Sequence, residues 1–167
     1  QRLLNGLPDF SPEKVISILS DKFDIEKSDS SIVDEIIHAD GDRHIFGLQF
    51  GSEFYRMKLK ASAENTLPAD EPAIYNKLDT SICTYHILHP LVGGPEKILD
   101  HVRYEVDYKN ALKLVETGEW QMGVWISPTR MRHITEVVEQ KEVFPQKTTY
   151  FYPKLVTGLV IYRLIME

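Results

Sequence analysis

The chain has 167 residues, 43% of them hydrophobic and 26% charged, which is enough for one well-filled core and too little for two ordinary domains. Nineteen Lys and Arg stand against twenty-five Asp and Glu, a net charge of -6, which argues against a binder of the nucleic-acid backbone. A single cysteine, Cys83, excludes an internal disulfide and a zinc knuckle and points to a reducing compartment, so the expected location is the cytoplasm. No apolar run approaches the roughly 18 residues that span a bilayer, and no membrane partner is expected. The start at Gln1 without methionine raises the expectation of a fragment of a longer protein.

Ser11-Pro12-Glu13 opens the first element, because serine caps free amides and proline at the first helical position loses no useful donor. Val15, Ile16, Ile18, Leu19 and Phe23 then recur at helical spacing, predicting a helix over roughly 12–22. Ser30-Ser31 before Ile32, Val33, Ile36 and Ile37 predicts a second, shorter helix. From His44 the period falls to two: Phe46, Leu48 and Phe50 share one face, and Tyr55, Met57 and Leu59 repeat the pattern after Gly51-Ser52. This predicts a β-hairpin over about 44–60 with a tight glycine turn. Residues 61–76, with two prolines and little periodicity, read as a surface loop.

Asp79 reads as the cap of a helix bearing Ile82, Tyr85, Leu88 and Val92 and ending at Gly93-Gly94-Pro95. Val102, Tyr104 and Val106 alternate as a strand, and Asp107 caps a helix that stops at Gly118. Trp120, Met122, Val124 and Ile126 make another strand, with the two tryptophans, Trp120 and Trp125, on opposite faces. Ser127-Pro128 then opens a helix with Met131, Ile134, Val137 and Val138 inward, followed by a loop and a final strand over roughly 158–165. A hairpin followed by alternating strands and helices predicts one α+β domain over 1–167, with a mixed or antiparallel sheet and helices packed on it.

Lys147-Thr148-Thr149 offers an ammonium, two hydroxyls and loop amides to a phosphate or carboxylate, with Lys154 as a second cation. It lacks the glycines of a Walker loop. The competing reading is a packed connection anchored by Tyr150, Phe151 and Tyr152, in which the threonines satisfy backbone groups. His86 and His89 lie three apart on a helix, but no convincing third ligand is near in sequence, and no metal site is assigned. Cys83 reads as a small core residue and Asp79 as a cap.

The tail from Val143 through Lys147-Thr148-Thr149-Tyr150-Phe151-Tyr152-Pro153-Lys154 to Val160 resembles the carboxyl-terminal signature of domain-of-unknown-function family 1015, departing from it at Phe144, Gln146 and Thr148. The resemblance continues upstream in Asn5-Gly6-Leu7, Ser11-Pro12-Glu13, the hairpin from Phe46 to Leu59, Leu78-Asp79-Thr80-Ser81 and Ser127-Pro128-Thr129. Ala39-Asp40-Gly41-Asp42-Arg43-His44 imitates the family's ADGHHR but is out of order and lacks the paired histidines, so that motif is expected before Gln1. The resemblance implies the carboxyl-terminal part of an uncharacterised protein whose partner is its own missing amino-terminal half. That missing motif is similar to those of ParB and sulfiredoxin-like proteins, which implies a small-metabolite or nucleotide site for phosphoryl transfer of a kinase type. The ligand implied is a small molecule, with ATP or ADP and Mg as cofactor, and Lys147, Thr148, Thr149 and Lys154 as binding residues. The alternative is a non-catalytic scaffold or regulatory interaction domain, docking a partner or forming a homo-oligomer.

Overall fold

The computed structural model describes residues 1–39, 44–145 and 147–149. They form an α+β fold around an open antiparallel sheet of six strands. In chain order the strands are β1 (Arg2–Leu4), β2 (Phe23–Ser28), β3 (Ile45–Phe50), β4 (Glu53–Leu59), β5 (Val102–Tyr104) and β6 (Met122–Trp125), arranged β2-β4-β3-β6-β1-β5. The helices are α1 (Pro12–Leu19), α2 (Ser31–Ile37), α3 (Asp79–Ile82), α4 (His89–Val92), α5 (Ile98–His101), α6 (Tyr108–Glu116) and α7 (Met131–Glu139). A π-helical stretch, Cys83–Leu88, joins α3 to α4.

Side chains on a strand alternate between faces, and here both faces are covered. Leu4, Phe46, Leu48, Met57, Met122 and Val124 pack with α1 and with the helical run from α3 to α4. Leu3, Ile45, Phe54 and Trp125 pack on the opposite side with Ile32, Val33 and Ile36 of α2 and Ala111 and Val115 of α6. Every residue of β3 is therefore buried. Gly47 of β3 sits opposite Trp125, and a Cβ there would lie 3.1 Å from both Trp125 and Ile36, so the close approach of strand, indole and helix needs a residue without a side chain.

The hairpin is in the expected place, with Gly51 at φ +56° in its turn. Ser11 caps α1 by accepting from the Lys14 amide, and Asp107 caps α6 by accepting from the amides of Lys109 and Asn110. Four expectations need correction. Trp120 lies outside β6 and packs on the same cluster as Trp125, not on the opposite face. The first helix stops at Leu19, and Phe23, assigned to its stripe, opens strand β2, whose Ile25 faces inward while Asp24 and Glu26 face outward. Asp79 does not cap: it is the first residue of α3 and makes no capping bond. The last helix starts at Met131 rather than Pro128, and it buries His133 and Val137 while Met131 and Val138 are 72% and 63% exposed. The strand expected over 158–165 lies outside the described residues.

Candidate functional site: a buried guanidinium beside an open cavity

Strand β1 supplies the central charge. Arg2 shares a face with Leu4, which directs it toward the helical run that carries Cys83. Its register partner on β5 is Tyr104, so guanidinium and ring are cross-strand neighbours, 4.4 Å apart. Arg2 is only 8% exposed. Its Nη1 donates to the Gln1 carbonyl at 3.3 Å and its Nη2 to the Lys147 carbonyl at 3.2 Å, while Nε has no partner among the described residues.

Among the described residues no carboxylate pairs with this guanidinium. Burial lowers the Arg2 pKa below its usual value, opposed by Cys83 and Tyr104. Neither neighbour carries compensating charge at neutral pH. Burial pushes the Cys83 thiol up to about 12, against the pull of Arg2, and burial likewise raises the Tyr104 phenol. Glu105 follows Tyr104 directly, but its carboxylate is taken by Arg103 at 3.0 Å, by the Asn110 amide at 2.9 Å and by the backbone of Val106 and Asp107. Burial alone would raise the Glu105 pKa; these bonds outweigh it and hold the carboxyl below its usual range. A buried cation without a counter-ion is costly, so a buried guanidinium with no carboxylate partner among the described residues marks the space beside it as a candidate anion site.

Arg2 lines a cavity of about 520 Å³ at the end of the sheet where β1 begins and β5 and β6 end. Its polar lining includes Glu105, Thr80 from α3, Ser127 and Thr129 from the loop between β6 and α7, and the segment 147–149. Its apolar lining includes Ile37, Val106, Tyr108, Met131 and Ile134. Because α7 starts only at Met131, the chain from Ser127 to Arg130 is free of helical geometry and wraps the cavity.

A second, water-sized hollow of about 10 Å³ shares Thr80, Ser127 and Thr129 with the large cavity. Asp79, Arg130 and His133 complete much of its lining. The Asp79 carboxylate receives His44 Nδ1 on Oδ1 at 2.7 Å and the Ser127 hydroxyl on Oδ2. One carboxylate therefore ties the start of β3, the start of α3 and the loop after β6 together. The serine is bonded to the aspartate and not to the imidazole, so this is not the order of groups in which histidine activates a serine nucleophile. The Thr80 hydroxyl, 9% exposed as a residue, has no partner among the described residues.

The segment singled out by its composition falls on this cavity. Lys147 is exposed, lines the cavity and sits at φ +61°. Thr149 is exposed on the same lining, whereas the Thr148 hydroxyl is spent on the Pro145 carbonyl at 2.6 Å and its carbonyl accepts from Thr129 at 2.9 Å. Thr148 thus follows the structural reading, and Lys147 and Thr149 remain available to a ligand. Lys154, Tyr150, Phe151 and Tyr152 lie outside the described residues. Sequence reasoning missed Arg2, Tyr104, Thr80 and His44, and saw Ser127 only as a helix start. A charged residue beside the apolar pair Leu3-Leu4 was the one local hint of Arg2.

The histidine pair of the helical run does not build a metal site. His86 is buried with Nε2 3.2 Å from the Thr66 hydroxyl, and His89 packs its ring edge-on to Tyr85. Among the described residues no group of three or more His, Cys, Asp or Glu converges as metal ligands. No described helix is long and apolar enough to cross a membrane. Compared with family models, curated proteins and solved structures, the chain matches none of them.

Proposed function

We propose that the cavity beside Arg2 binds a small anionic metabolite, with a phosphate group as the part that the guanidinium recognises. The observation that carries this reading is the 8% exposed Arg2 with no carboxylate partner among the described residues, on the wall of a cavity of ligand size. Guanidinium presents a planar fork of donors suited to phosphate oxygens. Lys147 adds a second positive charge at the rim, and the hydroxyls of Thr80, Ser127 and Thr149 add donors that suit any orientation of the anion.

Phosphoryl transfer from a nucleoside polyphosphate to a hydroxyl is the reaction that this arrangement would serve. Arg2 and Lys147 would stabilise charge on the transferred group, and the proton of the attacking hydroxyl would pass to solvent, because Asp79 lies in the neighbouring hollow with its oxygens taken by His44 and Ser127. The new bond is phosphorus to substrate oxygen, and the nucleotide leaves with one phosphoryl group fewer. The cavity's described carboxylates do not fit a magnesium site held by the protein, because Glu105 is engaged by Arg103 and Asn110. Leu78-Asp79-Thr80 and Ser127-Pro128-Thr129 meet at the small hollow, which adjoins the large cavity through Thr80 and the loop 127–129.

The test is thermal unfolding in the presence of inorganic phosphate, ADP and ATP. A saturable rise in melting temperature is expected, lost in Arg2→Met and weakened in Lys147→Ala. No rise with any of the three, or an undiminished rise in Arg2→Met, would remove the proposal.

A further inference from the structure

The cavity has apolar lining residues that an inorganic anion leaves unused. We infer that the ligand is amphiphilic: an organic phosphate monoester whose apolar or aromatic body lies against Val106, Tyr108, Met131 and Ile134 while its anionic head faces Arg2. The inference rests on the anion reading of the same cavity and adds the chemical class of the molecule.

Three observations support it. The volume of about 520 Å³ is that of a site for a multi-ring or branched organic molecule, and a bare phosphate would fill a small part of it. The lining combines Arg2, Thr80, Ser127 and Thr129 with aliphatic and aromatic side chains, the combination expected for a ligand with one charged end and an apolar body. Val106 and Met131 are 59% and 72% exposed, and they are two of the large hydrophobic side chains that the described fold leaves most open to solvent. Both line this cavity. An apolar body seated between them removes that surface from water, which is the gain an inorganic ion cannot make.

The geometry also explains why these residues come from separate elements. Val106 follows β5, Tyr108 opens α6, and Met131 and Ile134 sit one turn apart on α7. The face of α7 turned to the core carries His133 and Val137, which leaves Met131 exposed and Ile134 half-buried at the cavity.

The test compares inorganic phosphate with phenyl phosphate by calorimetric titration of the full chain, in wild type, Arg2→Met, Arg2→Lys and Met131→Ser. The inference expects phenyl phosphate to bind about tenfold or more tightly than phosphate, the gain from burying roughly two methylene equivalents. Met131→Ser should weaken phenyl phosphate about threefold to tenfold and leave phosphate unchanged. Arg2→Met should abolish both, and Arg2→Lys should retain measurable binding of both. Equal affinities for the two probes, or no effect of Met131→Ser on phenyl phosphate, would overturn the amphiphilic ligand and leave the anion site standing. Absence of binding by either probe, or binding by both that survives Arg2→Met, would overturn the anion site itself.

Discussion

Asp79→Ala should destabilise the protein far more than its place at the start of a short helix suggests. The carboxylate accepts from His44 and Ser127, and the side chains of His44 and Asp79 are 17% and 14% exposed. Hydrogen bonds to a carboxylate contribute about 1.5–3 kcal/mol each, and truncation leaves the former donors facing a void. Part of this loss is returned because the carboxylate no longer has to be desolvated, so the expected cost is about 3 kcal/mol. For a chain of this size that corresponds to a fall in melting temperature of about 6–12 °C. Urea unfolding should show a lower midpoint with an unchanged slope. Asp79→Asn, which keeps the shape and can still bond to both partners, should lose about 1 kcal/mol. In a double-mutant cycle, Asp79→Ala and Ser127→Ala should couple by at least about 0.5 kcal/mol. An Asp79→Ala protein within about 0.5 kcal/mol of wild type, or strict additivity with Ser127→Ala, would refute the view that this carboxylate ties three segments together.

Two further predictions concern the framework. Gly47→Ala adds a Cβ 3.1 Å from Ile36 and from the fully buried Trp125, whose own Cβ is fixed to the strand, and should cost about 1–3 kcal/mol in urea unfolding; a stabilised variant would contradict the packing described. Burial, reinforced by Lys22, lowers the His86 pKa from its usual 6.5, so the unfolded chain takes up this proton before the folded one. The stabilising contribution is complete above about pH 6.5 and is lost as pH falls through that value toward the folded pKa. Melting temperatures from pH 8 to 5 should therefore fall less steeply in His86→Gln than in wild type, and parallel curves would contradict the prediction.

The elements legible in the sequence were those with a period of their own. Phe46, Leu48 and Phe50, then Tyr55, Met57 and Leu59, alternate around a glycine turn, and β3 and β4 follow. Ser11 and Asp107 announced their helices because capping is a local contact. Strand β1 has three residues, too few for any period, and exists because β5 and β6 flank it. Strand β2 was hidden because Phe23 extends the helical spacing of Val15 and Leu19 by one more step. On α7 the apolar stripe was right only in part: Val137 is buried and Ile134 half-buried, but Met131 and Val138 are exposed and the buried stripe contains His133. A surplus apolar face on a helix is what a ligand wall looks like, and hydropathy alone cannot separate it from a core.

The site was legible only where composition marked it. Lys147 and Thr149 stood out as a cation and a hydroxyl in one loop, and both reach the cavity. Arg2, Thr80 and Ser127 meet through nonlocal pairing, Arg2 being placed by its register with Tyr104 and Val124. No spacing along the chain encodes that meeting. Asp79 could be read as a cap because the residue type and position suit one, and only its contacts with His44 and Ser127 assign it another task.

The most direct measurement of the central claim is a crystal structure of the protein soaked with tungstate, a heavy phosphate analogue visible by its anomalous scattering. The account predicts an anomalous peak inside the large cavity with tungstate oxygens in hydrogen-bond reach of the Arg2 guanidinium, and its loss in Arg2→Met crystals. A cavity without a peak, with tungstate held only at surface lysines and Arg2 still bonded to carbonyls alone, would contradict it.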